Sequence, residues 1–201
     1  MKPFVYHGTI SLYRKSLTNG IKIKKCSKNS DFGQGFYTTT NYIQAKMYAN
    51  LQKKNWNTYQ NLMSKLNSEY QPIFVNPMII QYLIDWEKLK EFHGIVFNNP
   101  DRQWAEFIYN NRLGLDFAIS ENNNLDKRYD YVYGRIADSK ITPIINQVKN
   151  GTLDFNAFYT AIQPYYLYQD QLSFHNIDVL QCLRINDINI VRRKKHEYVN
   201  G

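Results

Sequence analysis

From Asn41 to about Ser68 the chain contains neither glycine nor proline. Tyr42, Ala45, Tyr48, Ala49, Leu51, Trp56 and Leu62 recur there at near-helical spacing, which predicts one long helix. Around it the sequence is cut into short β-branched and aromatic runs. "KPFVYHGT" reads as a strand ending at His7-Gly8, "GFYTTT" as a second, and "YDYVYGRIA" (129–137) and "QLSFHN" (171–176) as later ones. "QPIFVNPMIIQYLID" (71–85) is strand-like in two pieces broken by Pro77. Helical patterns return at 101–112, with Trp104, Phe107 and Ile108 on one side, at 152–162 and at 178–187. The mixture predicts an α+β fold. With no repeat or low-complexity linker, it reads as a single domain over 1–201, with the helical segment 41–68 inside it and a basic tail at about 192–201.

Hydrophobic residues at 43% and charged residues at 21% give a core-forming chain rather than a disordered one. The longest apolar runs fall short of a membrane span, and "MKPFVYHGTI" lacks the apolar region of a signal peptide. Cys26 and Cys182 show neither metal spacing nor a disulfide framework. The expectation is a cytoplasmic protein with no membrane and no metal. The formal charge of +8 gathers in "KIKKCSK" (22–28) and "RRKKH" (192–196), which suits an anionic partner or a solvated surface. A nucleic-acid-binding protein is disfavoured, because no nucleic-acid motif is present and the clusters lack interleaved aromatics.

The stretch "DFGQGFYTTT" (31–40) sets two glycines directly before strand-forming residues. Glycine permits positive backbone dihedrals and close approach to the main chain, so Gly33-Gln34-Gly35 can rim a pocket whose floor is the aromatic strand behind it. Neither phosphate-binding glycine pattern, the dinucleotide fingerprint or the P-loop, is present.

In combination the motifs gain meaning. His7-Gly8-Thr9 ends the first strand, Gly33-Gln34-Gly35-Phe36-Tyr37 opens the second, Tyr48 lies on the following helix and Gln171 begins a late strand. This order resembles the ADP-ribosyltransferase superfamily on its diphtheria-toxin and poly-ADP-ribose-polymerase side. The series "YHGT … DFGQGFYTTTNYIQA … WAEFIYNNR … YDYVYGRIAD … DQLSFHN" resembles more closely a bacterial domain of unknown function numbered 3990, whose members are read as toxin-like ADP-ribosyltransferases.

The resemblance implies two small antiparallel sheets around an NAD cleft with flanking helices. It also implies mono-ADP-ribosylation of a macromolecule, protein or nucleic acid, by an intracellular bacterial toxin or effector that an antitoxin could neutralise. His7 would bond a ribose hydroxyl and the Gly8 main chain the nicotinamide carboxamide, with Thr9, Gly35 and Phe36 completing the cofactor site. Tyr37 and Tyr48, eleven positions apart, would sandwich the nicotinamide by offset stacking. His7, Tyr37 and Gln171 would form the catalytic set.

Such families place a glutamate where this chain has Gln171, and its charge favours the cation that develops at the sugar. Glutamine keeps the hydrogen bond and loses the charge. Asp170 should point to the opposite face. Glu106 and Asp138 are other carboxylates within sequence reach, with a solvated helix face and a turn cap as their alternatives. His175 reads as a core or surface histidine. An NAD glycohydrolase and a non-catalytic NAD or ADP-ribose-binding module are the alternative functions.

Overall fold

The computed structural model describes residues 2–114, 121–137, 141–166 and 168–191. Among these the fold is α+β, with two small sheets. In the first, β1 (Phe4–Ile10), β3 (Pro77–Ile84) and β7 (Leu183–Ile190) lie in the order β1-β3-β7, both pairings antiparallel. In the second, β2 (Phe36–Thr38), β6 (Asp170–Phe174), β5 (Tyr131–Arg135) and β4 (Gly94–Val96) lie in that order. The second sheet corrects one expectation: β4 pairs with β5 in parallel, so it is mixed rather than antiparallel.

Three other expectations change. Pro77 begins β3 instead of dividing a strand, because a proline without an N–H is tolerated at a strand's first position. Residues 71–76 are irregular. The 178–187 segment is a 3₁₀ turn, Asp178–Cys182, that runs into β7 rather than a helix. Its register with β3 slips between Gln81 and Tyr82.

The helices are α1 (Arg14–Thr18), α2 (Tyr42–Leu66), α3 (Trp86–Leu89), α4 (Arg102–Leu113), α5 (Ile141–Lys149) and α6 (Phe155–Ala161). Asn41 caps α2 by accepting from the N–H groups of Ile43 and Gln44. Asp101 caps α4 through Trp104 N–H, and Gly114 ends that helix at φ 75°.

The two sheets face each other across Val5, Phe36, Met78, Ile80, Leu172 and Phe174. Helices α4 to α6 cover the far side of the second sheet through Trp104, Phe107, Ile108, Ile145 and Phe158. Helix α2 covers the first sheet with a narrow face, Ala45 and Ala49 against Ile79. Its larger apolar residues, Tyr48, Leu51 and Leu62 among them, stay about half exposed. Small side chains there let the helix backbone approach β1: a Cβ at Gly8 would lie 2.0 Å from the Ala45 carbonyl oxygen.

Candidate functional site

β1 and β2 are joined at one residue pair, where Tyr6 and Thr39 exchange N–H···O bonds of 2.8 and 3.0 Å. A cavity of about 360 Å³ opens beside this junction, within the usual range for small-molecule sites. His7 and Gly8 of β1, Gly35 before β2, Phe36 and Tyr37 of β2, Tyr48 of α2 and Gln171 of β6 all line it. Thr9 is buried and does not line it. Three stretches distant in sequence therefore meet in one place.

Backbone alternation arranges the β1 side. Tyr6 turns its N–H and C=O toward Thr39, so Gly8, two residues on, presents its own pair to the same open edge. His7 faces the other way, its ring against Phe36 at 4.5 Å between centroids. Its Nδ1 lies 2.7 Å from the Tyr37 carbonyl oxygen, which accepts from the Nδ1–H tautomer. Burial lowers the His7 pKa, partly offset by that bond. A neutral ring with Nδ1–H committed leaves Nε2 as an acceptor.

The glycine loop is held by Tyr37. Its hydroxyl donates to the Gly33 carbonyl at 2.8 Å and accepts from the Phe32 N–H at 2.9 Å. Burial raises the phenol's pKa far above its ordinary value, with Asp31 adding to the shift. Gly33 needs its freedom, at φ 88°. Gly35 needs its missing Cβ, which would lie 2.8 Å from the His175 ring. His175 is a core residue: Nε2 is 2.8 Å from Ser173 Oγ, Nδ1 is 3.1 Å from the Gln34 carbonyl, and burial pulls its pKa down to about 4.

On β6, Asp170 and Gln171 point to opposite faces. Asp170 gathers the threonine run, accepting from Thr39 Oγ1 at 2.7 Å, Thr40 N–H at 2.8 Å and Tyr133 OH at 3.1 Å. Gln171 faces the cavity, where its Nε2 donates to Asp31 Oδ2 at 3.0 Å and to the Arg135 carbonyl at 3.3 Å. Asp31 in turn receives Arg112 Nε at 2.8 Å and Nη2 at 2.7 Å, both on Oδ1.

Asp31 and Arg112 also line the cavity, although nothing in the sequence pattern singles out either. They lie 81 positions apart, and only the fold brings them together. Glu106, by contrast, sits away from the cavity, where it accepts from Asn122 Nδ2 at 3.2 Å on an exposed surface. Asp138 and the basic run at 192–196 lie outside the described residues. Among the described residues no three His, Cys, Asp or Glu side chains are grouped to hold a metal ion, and no helix is long and apolar enough to cross a membrane.

Residues 4–185 match the sequence model of a family described as a protein of unknown function (DUF3990). The chain belongs to that family. No curated protein and no solved structure matches it.

Proposed function

We propose that this protein is a mono-ADP-ribosyltransferase of the ADP-ribosyltransferase fold, binding NAD in the cleft between its sheets and transferring ADP-ribose to a macromolecule. The observation that carries the reading is convergence: the His-Gly, Gly-x-Gly-Phe-Tyr, Tyr48 and Gln171 positions line one cavity. A family member of this kind would act as a bacterial toxin or effector.

The chemistry available there fits a polyhydroxylated amide. His7 Nε2 and Gln171 Oε1 are acceptors for ribose hydroxyls, and the open N–H and C=O of Gly8 match the two halves of a carboxamide. Tyr37 and Tyr48 supply aromatic faces for the nicotinamide ring. Breaking the nicotinamide–ribose bond releases a neutral base and leaves an oxocarbenium-like sugar, which an acceptor nucleophile then captures. The protein's contribution is to hold ring and ribose apart in a fixed geometry while positive charge develops. Cys26 and Ser27 of the lysine-rich segment also line the cavity, with Lys24, Lys25 and Lys28 exposed beside them. That suits an anionic ligand or acceptor.

One observation favours a binding module without transfer: the carboxylate lining the cavity next to Gln171, Asp31, is ion-paired with Arg112. Incubation of the pure protein with adenylate-labelled NAD and a cell lysate separates the readings. Label on protein or nucleic acid with release of nicotinamide supports transfer. Free ADP-ribose alone means hydrolysis, and binding without nicotinamide release means a module. No binding at millimolar NAD refutes the cleft assignment.

A further inference from the structure

Gln171 is nearly enclosed, at 6% exposure. An isolated glutamine amide is ambiguous, since turning it over exchanges an acceptor for two donors. Here the ambiguity is removed. Both neighbours of Nε2, Asp31 Oδ2 and the Arg135 carbonyl, are oxygens. The opposite orientation would set Oε1 against both of them, one belonging to a carboxylate. Oε1 itself has no hydrogen-bond partner among the described residues and, unlike the Tyr82 hydroxyl, is not sealed away from solvent. The free end of a fixed amide therefore opens on the cavity that Gln171 lines.

Asp31 is fixed from two directions. Arg112, reaching from α4, occupies Oδ1 with two N–H groups and leaves Oδ2 for the amide. The next two residues are tied to the Tyr37 hydroxyl through Phe32 N–H and the Gly33 carbonyl. An acceptor-only carboxylate held this way captures an amide N–H₂ and polarises the carbonyl at its other end.

We propose that Asp31 is the positioning residue of this cavity: anchored by Arg112, it fixes Gln171 so that Oε1 accepts a hydrogen bond from a ligand hydroxyl. Resting on the reading of the ligand as NAD, that hydroxyl belongs to the ribose beside the nicotinamide. The Arg112–Asp31–Gln171 chain then turns a remote charge into an oriented acceptor, and the site selects for a hydroxyl donor by orientation rather than by a carboxylate at position 171.

The test couples a protein change to a ligand change. Calorimetry on the full chain measures the dissociation constants of NAD and of its two analogues lacking one hydroxyl on the nicotinamide-side ribose. For the wild-type chain one analogue should bind roughly tenfold or more weakly than NAD, the scale of a lost hydrogen bond of this kind. Asp31→Asn should weaken NAD by a similar factor and leave that analogue almost unchanged, so the preference collapses. Equal weakening of all three ligands would mean that Asp31 serves the fold alone, and would overturn the proposal.

A second arm needs no ligand. Gln171→Glu sets a second carboxyl group against Asp31 and should lower the melting temperature. Adding Asp31→Asn should recover at least half of that loss, as neighbouring groups in one network do. Additive losses would show that positions 31 and 171 are uncoupled, again against the proposal. Failure of the wild-type chain to bind NAD would sink the functional reading and the ribose assignment with it, whereas the stability arm bears on the coupling by itself.

Discussion

Replacing Tyr37 by Phe removes one oxygen atom and keeps the ring. That oxygen bridges the Phe32 N–H at 2.9 Å and the Gly33 carbonyl at 2.8 Å. Phe32 is fully buried and Gly33 is buried beside it. Each buried polar group left without a partner costs about 1–3 kcal/mol. The pair together should cost about 2–4 kcal/mol, allowing for partial replacement by water from the cavity. At about 2–4 °C per kcal/mol for a chain of this size, the melting temperature should fall by roughly 4–16 °C. Urea unfolding measures the loss directly, as a lower midpoint at unchanged slope. Because the folded phenol stays protonated well above neutrality, the loss should be the same at pH 6.5 and pH 8.5. The same variant separates ring from hydroxyl in ligand binding. Tyr37→Phe, measured where it is folded, should retain more NAD affinity than Tyr37→Ala, which loses the stacking surface as well. A loss below about 0.5 kcal/mol for Tyr37→Phe, within the range of an ordinary surface substitution, would refute the view that this hydroxyl organises the glycine loop.

Tyr48 lines the cavity yet is 50% exposed, so Tyr48→Ala should change the unfolding free energy by less than about 0.5 kcal/mol while weakening NAD binding; a variant that unfolds, or one that binds as before, counts against the stacking role. For His175 the folded pKa of about 4 lies below the unfolded value near 6.5. The unfolded chain therefore takes up its proton first as the pH falls. The resulting stability is complete above about pH 6.5 and is lost between there and pH 4, at up to about 3 kcal/mol. Imidazole NMR shifts check it, and a His175 ring that titrates near 6.5 in the folded chain would contradict the burial argument.

What the sequence revealed followed distance along the chain. The strand at His7, the strand after Gly35 and the long helix were legible because each rests on local signals: β-branched runs, a glycine pair, an uninterrupted helical spacing. The spacing on α2 shows a helix but does not by itself say which of its apolar residues are buried. The large residues Tyr48, Leu51 and Leu62 share that spacing, whereas close packing on Gly8 admits only Ala45 and Ala49. The first part of β7 falls in the segment 178–187 that the pattern predicts as a helix, because on a largely exposed strand its apolar residues do not alternate cleanly. β4 has three residues, too few to show a period, and its parallel partner is invisible to pattern. In the site, Gln171 could be singled out by resemblance, but its dependence on Asp31 could not, since 140 positions separate the two. Asp31 and Arg112 are ordinary charged residues until the fold sets one against the other.

The junction of Tyr6 with Thr39 has a mechanical consequence. Two reciprocal backbone hydrogen bonds at one residue pair join β1 to the end of β2, while the ladders on either side of them are continuous within their own sheets. The His7 Nδ1 bond to the Tyr37 carbonyl and the core shared by Val5, Phe36, Ile80 and Leu172 brace the same seam, so the two sheets form one fixed cradle. A ligand seated next to this seam, touching His7 on one sheet and Gln171 on the other, would be gripped by both at once.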